Sequence, residues 1–160
     1  MRLSLINKKT LTTLALLCLL PFAANAQPIA ITETQPLSFG TFAIGDFSTV
    51  MNVRIRNNGT FTTGGPVTML INPTRGLYTL SGGVAVGGIV YTITTPATIT
   101  LTGAGSTFTM NNIRVRPNTL RFNGAGNDNI RVAARIVSPG DGVAFGDGTY
   151  TGSLDLNVAF

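Results

Sequence analysis

The sequence predicts an all-β chain, an immunoglobulin-like (Greek-key) β-sandwich of roughly nine short strands. Three observations predict it. Past Gln27 the apolar residues recur at every second position in short runs, and no stretch keeps a helical period. Those runs are rich in Thr, Val, Ile and Tyr, which suit a pleated, half-buried surface. The 19 glycines fall mostly between the runs, where tight turns need positive φ.

The chain opens with "MRLSLINKKTLTTLALLCLLPFAANAQ". Arg2, Lys8 and Lys9 make a positive leader, Leu11 to Ala24 is almost wholly apolar, and Ala24-Asn25-Ala26 supplies the small residues of a cleavage site. This predicts a signal peptide over 1–26, cut before Gln27. The apolar run is short for a span of about 20 residues and is interrupted by Thr12, Thr13 and Pro21. Cys18, with Leu17 before it and apolar residues after it, does not match a lipoprotein box. The expected destination is the periplasm, cell surface or extracellular space of a bacterium, with no integral membrane span in the mature chain.

Removing 26 residues from 160 leaves 134, a natural size for one domain, so 27–160 is expected to be a single sandwich. The only cysteine leaves with the leader, so the mature fold holds together without a disulfide. Both lysines and Arg2 leave too. Eight Arg then face six acids, a formal charge of +2.

The elements follow in order. Residues 27–35 form an extended amino-terminal strand, with Ile29 and Ile31 on one face until Glu33 interrupts it; "LSFGTF" follows. In "VMNVRIR", Met51, Val53 and Ile55 face one side and Asn52, Arg54 and Arg56 the other, before a tight turn at Asn58-Gly59. "PVTMLIN" aligns Val67, Met69 and Ile71 before Asn72-Pro73. "GIVYTITT" aligns Ile89, Tyr91 and Ile93, and "ATITLT" aligns Ile99 and Leu101. In "TFTMNNIRVR" the apolar phase shifts from Phe108 and Met110 to Ile113 and Val115, which predicts a β-bulge at Asn111-Asn112. "NIRVAARIV" sets Ile130, Val132, Ala134 and Ile136 opposite Arg131 and Arg135. The closing "GTYTGSLDLNVAF" puts Leu154, Leu156, Val158 and Phe160 inward and Ser153, Asp155, Asn157 and Ala159 outward.

Three blocks, "IAITETQPLSFGTFAIGD", "YTITTPATITLTGAG" and "GTYTGSLDLNVAF", resemble the opening, middle and end of the bacterial secreted domain-of-unknown-function family 4402. The motifs that carry the resemblance are Leu37-Ser38-Phe39-Gly40 and Gly148-Thr149-Tyr150-Thr151-Gly152. More distantly, the "F-G" opening resembles spore-coat-U and archaic pilin-type subunits, which implies assembly by donation of an amino-terminal strand. Those subunits commonly carry paired cysteines, and the mature chain has none. The resemblance implies no catalytic residues.

Chemistry is limited by what the mature chain lacks. Without His, Cys, Trp or Lys it has no His/Cys metal cluster, no Ser–His or Cys–His nucleophile and no Schiff-base lysine. Its carboxylates are Glu33, Asp46, Asp128, Asp141, Asp147 and Asp155, most of them in turn-like segments where Asp bonds its own backbone. No enzymatic role and no cofactor are expected. Asp141 and Asp147, each set between glycines, are the nearest approach to a calcium loop, against a plainer reading as two tight turns. The Asn58-Gly59-Thr60 sequon reads as a turn.

Six arginines have a pattern. Arg54, Arg56, Arg114, Arg116, Arg131 and Arg135 each lie opposite apolar positions of their own strands. If those strands are neighbours, the outer face carries a guanidinium ridge suited to anionic groups of surface polysaccharide; the plainer reading is a solvated face. The small net charge and the lack of a stacking motif argue against nucleic acid.

These readings converge on an exported, non-enzymatic structural or adhesive protein of the bacterial cell surface. A fimbria-like subunit would self-associate or join related subunits through Ile29 and Ile31. The alternatives are a secreted or periplasmic binding module for anionic glycan and a small outer-membrane β-barrel. The barrel suits the length and the alternating last strand. The short runs, the absence of Trp and the breaks "NGTFTTGG" and "FNGAGNDN" count against it.

Overall fold

The computed structural model describes residues 29–82, 90–121 and 128–159. The predicted leader with Cys18, the predicted inward Ile89 and Phe160, and most of "FNGAGNDN" lie outside the described residues. The described chain is all-β, with twelve strands. In order they are β1 (Ala30–Gln35), β2 (Thr41–Ile44), β3 (Asn52–Ile55), β4 (Phe61–Gly64), β5 (Val67–Ile71) and β6 (Gly76–Ser81). Then follow β7 (Val90–Thr94), β8 (Thr98–Leu101), β9 (Phe108–Arg116), β10 (Thr119–Arg121), β11 (Asp128–Val137) and β12 (Asn157–Ala159). No described helix is long and apolar enough to cross a membrane.

The organising element is β11. One edge pairs with β9 through Arg131–Val137. The other edge pairs first with β6 through Asp128–Val132 and then with β3 through Arg135–Val137. Outward from these, β1 pairs with β6, β4 with β3 and β8 with β9, all antiparallel. Seven strands therefore form one sheet. A three-stranded sheet, β10-β7-β12, and a two-stranded sheet, β2-β5, complete the described strands. The arrangement is sandwich-like, with two smaller sheets contributing to the same apolar interior as the large one.

Alternation explains why β11 can serve both halves. Its inward residues are Ile130 and Val132 toward one cluster and Ala134 and Ile136 toward the other. The first cluster gathers Leu80, Tyr91, Ile93, Val115 and Leu120, with Ile31, Leu154, Leu156 and Val158 packed around it. The second gathers Met51, Val53, Leu101, Phe108 and Met110, with Phe42, Val67, Met69, Phe145 and Tyr150 against it. Each fully buried side chain of this size contributes about 1.5–3 kcal/mol of transfer free energy. At the join, Ser138 Oγ accepts a bond from the Met51 amide at 2.9 Å, and the Ser138 amide donates to the Met51 carbonyl at 3.0 Å. This ties the end of β11 to the start of β3.

The bulge predicted in β9 is present. The step from Ala133 to Arg135 on β11 faces the longer step from Arg114 to Asn111 on β9. Asn112 takes φ 53°, a left-handed conformation that Asn tolerates better than most residues. The extra residue lets Met110 and Val115 both face inward.

Three expectations need correction. Ile71 is 63 % exposed and Leu70 is 67 % exposed, where Ile71 was predicted to join Val67 and Met69. The β2–β5 register jumps there, Phe42 opposing Met69 and Thr41 opposing Ile71, so Leu70 is an extra residue that reverses the phase. Secondly, β4, β6 and β10 add to the roughly nine strands expected from spacing alone. In β6 the burial runs almost unbroken, which removes the polar alternation that marks a strand in sequence; β4 has one bulky residue, Phe61. Thirdly, the closing run alternates as predicted from Leu154 to Ala159, but only Asn157–Ala159 is paired as a strand.

The two motifs behind the family resemblance are packing devices. Gly40 has φ 74°, and a Cβ there would lie 2.1 Å from the Ile71 carbonyl oxygen. The Tyr150 hydroxyl donates to the carbonyls of Ala104 and, at 2.9 Å, Gly146, pinning the loop that carries Phe145. Phe145 stacks on Phe108 with ring centroids 4.2 Å apart.

Candidate functional site

The register of β3, β11 and β9 decides what the arginines can do together. Since β11 lies between β3 and β9, their outward positions share one sheet face. Arg54 stands directly opposite Arg135, and Arg131 directly opposite Arg116. Ala133, between the two arginines of β11, stands opposite Arg114. Arg56, two residues beyond Arg54, lines the same cleft as Ala133 and Arg114. All six sequence-predicted arginines thus meet on one face of three adjacent strands. Arg56, Arg114, Arg116 and Arg131 are exposed, while Arg54 and Arg135 are half-buried.

One cleft opens on this face and a second at the edge of β9 beside β7, where the inward Ile93 and Val115 also line it; Arg114 is in the wall of both. One, of about 330 Å³, is lined by Arg54, Arg56, Asn57, Asn58, Asn112, Arg114 and Ala133. The other, of about 300 Å³, is lined by Arg114, Arg116, Asn118, Thr95, Ile93 and Ile113. Among the described residues no carboxylate lines either cleft. The positive field of the guanidinium groups is therefore not cancelled locally, and their donors suit oxyanions.

Local structure holds the walls. The β3–β4 hairpin is closed by the turn predicted at Asn58-Gly59. Gly59 has φ 89°, its amide donates to the Arg56 carbonyl at 2.9 Å, and Asn58 Oδ1 accepts from the Thr60 amide and hydroxyl. Arg75, which sequence reasoning passed over, donates through Nη1 to the Asn57 carbonyl at 2.6 Å and buttresses the turn. Arg135 Nε donates to Asn111 Oδ1 at 3.0 Å, which orients one guanidinium beside the bulge. Asn57, Asn112 and Ala133 were also missed. The phase shift was a signal for Asn112, but no local pattern marks an alanine that becomes the floor of a cleft.

The other sequence-predicted residues lie elsewhere. Ile29 and Ile31 pack against the protein's own first cluster, and β1 pairs along β6 from Ala30 to Gln35. Asp141 Oδ1 accepts from the Val143 amide at 3.0 Å, the local turn bond expected of it, and Asp147 is exposed. Among the described residues no group of three His, Cys, Asp or Glu side chains is placed to hold a metal. Asp46 is held below its ordinary pKa by hydrogen bonds from the Ser48 and Thr49 hydroxyls and the Ser48 amide. Its carboxylate organises its own loop.

No curated protein and no solved structure is significantly similar to this chain. The family described as Domain of unknown function (DUF4402) matches residues 29–160. That span contains both clefts and both packing motifs, and the chain belongs to this family.

Proposed function

We propose that this is an exported, non-enzymatic adhesive protein of the bacterial surface whose arginine face holds anionic polysaccharide. The observation that carries the reading is the gathering of six arginines on one face of neighbouring strands, over a cleft that no carboxylate lines among the described residues. Like charges set opposite one another cost stability, and a bound polyanion offsets that cost. The test is binding of the mature chain to lipopolysaccharide and to a sulfated polysaccharide over a range of salt concentration. Affinity is expected to fall as salt rises and to drop several-fold in Arg114→Ala/Arg116→Ala. Binding that ignores both salt and the mutations overturns the reading.

A second reading, a fimbria-like structural subunit, has its own support. Leu154 and Leu156 sit on the core, yet no strand pairs with Gly152–Leu156 among the described residues. Such an edge suits the addition of an extended segment from another chain. The donor strand of this reading is residues 27–35, and exchange requires β1 to leave its own β6. Fibres or concentration-dependent oligomers from the mature chain, lost on deleting 27–35, support the subunit. Monomers in both forms at high concentration remove it. The packed sheets and apolar interior give no support to an outer-membrane barrel, which is not proposed.

A further inference from the structure

Ala133 is the outward residue of β11 that breaks the arginine pattern, and it is only 2 % accessible. Arg131 and Arg135 precede and follow it on the same face, each roughly 7 Å along the strand. Arg114 is its direct partner on β9, and Arg54 of β3 and Arg56 just beyond it line the cleft. A small floor ringed by long cationic side chains makes a pit, whereas any large residue at this point would make a flat ridge.

We propose that the Ala133 pit seats one phosphate or sulfate ester and is the point at which the polymer is recognised. The inference rests on the polyanion-binding reading above and specifies the group recognised. Three arginines line the pit, Arg54 on β3, Arg56 just after it and Arg114 on β9, so guanidinium donors can reach an anion there from two sides. A phosphate or sulfate ester offers three terminal oxygens to three such groups, whereas a carboxylate offers two. Asn112, exposed at the bulge, lines the same pit, and its side-chain amide suits a hydroxyl of the sugar that carries the ester. The volume of about 330 Å³ is at the small end for ligand clefts and accommodates more than a bare ion.

The experiment compares a sulfated and a phosphorylated polysaccharide with a polyuronate of matched charge density, and adds inorganic sulfate and phosphate as competitors. The mature protein is expected to bind one of the ester polymers at least about tenfold more tightly than the polyuronate, a difference of about 1.4 kcal/mol. Ala133→Leu keeps every arginine but fills the pit, and is expected to bind both classes equally. Arg114→Gln, on an exposed residue, is expected to lose the same preference, while Arg121→Gln, an equal charge change on β10 outside the cleft, keeps it. The two arginine variants decide the matter if Ala133→Leu does not fold. Competition by millimolar free sulfate or phosphate as strong as that of the polymer's repeat unit would show a seat for the ion alone and overturn the sugar-ester assignment. Polymer binding without ester preference, or a preference that survives in both Ala133→Leu and Arg114→Gln, overturns the pit and leaves the face intact. Binding to none of the polymers overturns the face reading itself.

Discussion

Arg54 and Arg135 are direct cross-strand partners, two like charges in register on adjacent strands, and the Arg135 guanidinium is steered to Asn111 Oδ1 at 3.0 Å. Such a pair costs stability in an antiparallel ladder, and the cost is greatest at low salt. On the proposed reading, a bound anion would offset this cost.

Arg54→Gln is therefore expected to stabilise the free protein by about 0.2–1 kcal/mol in low-salt urea unfolding. The gain should shrink as salt is added, because screening already relieves the repulsion in the parent. A destabilisation at low salt would show that the pair is held favourably by contacts other than charge.

The bulge is tested at Asn112. Its φ of 53° is costly for a β-branched residue, so Asn112→Val should destabilise by about 1–2 kcal/mol, while Asn112→Gly should stay near the parent. Equilibrium denaturation of the two variants side by side separates backbone strain from loss of the side chain. Equal losses in both would assign the effect to the asparagine amide instead.

Gly40→Ala is expected to cost about 1–3 kcal/mol from the left-handed backbone alone, with the contact at the Ile71 carbonyl adding to it. The damage should be read first in the β2–β5 pair, as faster amide exchange at Thr41–Ile44 and Val67–Ile71 than in β11.

Tyr78 makes the β1–β6 pairing sensitive to alkali. It stands opposite Glu33, and burial together with the Glu33 carboxylate pushes its phenol from 10.0 up to about 12. The unfolded chain ionises first, so this contribution to stability is complete below pH 10 and is lost as pH rises from 10 toward 12. Tyr78→Phe should flatten that part of the pH–stability curve. A phenol absorbance titration should show one tyrosine fewer ionising near the top of the range.

Much of the fold was legible because burial in a half-exposed sheet writes itself as a period of two. Met51/Val53/Ile55 and Ile130/Val132/Ala134/Ile136 are buried as their spacing implied, and the phase change after Met110 located the bulge. β6 was not legible, since a strand covered on both faces lacks that period, and Ile71 was misplaced because an extra residue across from β2 leaves no mark in composition. The six arginines were individually legible as outward positions. Ala133 was not, since an alanine between two arginines has no property of its own until neighbours stand around it.

By itself, then, the sequence determined which side of each regular strand meets the interior, where the turn at Asn58-Gly59 closes, and which residue types are missing from residues 27–160. Side-chain polarity and backbone preference act locally, and local order is enough to read them. Only the tertiary structure decided that β11 lies between β3 and β9, that Arg54 faces Arg135 and Arg116 faces Arg131, and that Ala133 floors the cleft between them. Strand order is a property of long-range pairing, in which residues some eighty positions apart become hydrogen-bonded neighbours, and no period within one strand encodes the identity of the strand beside it.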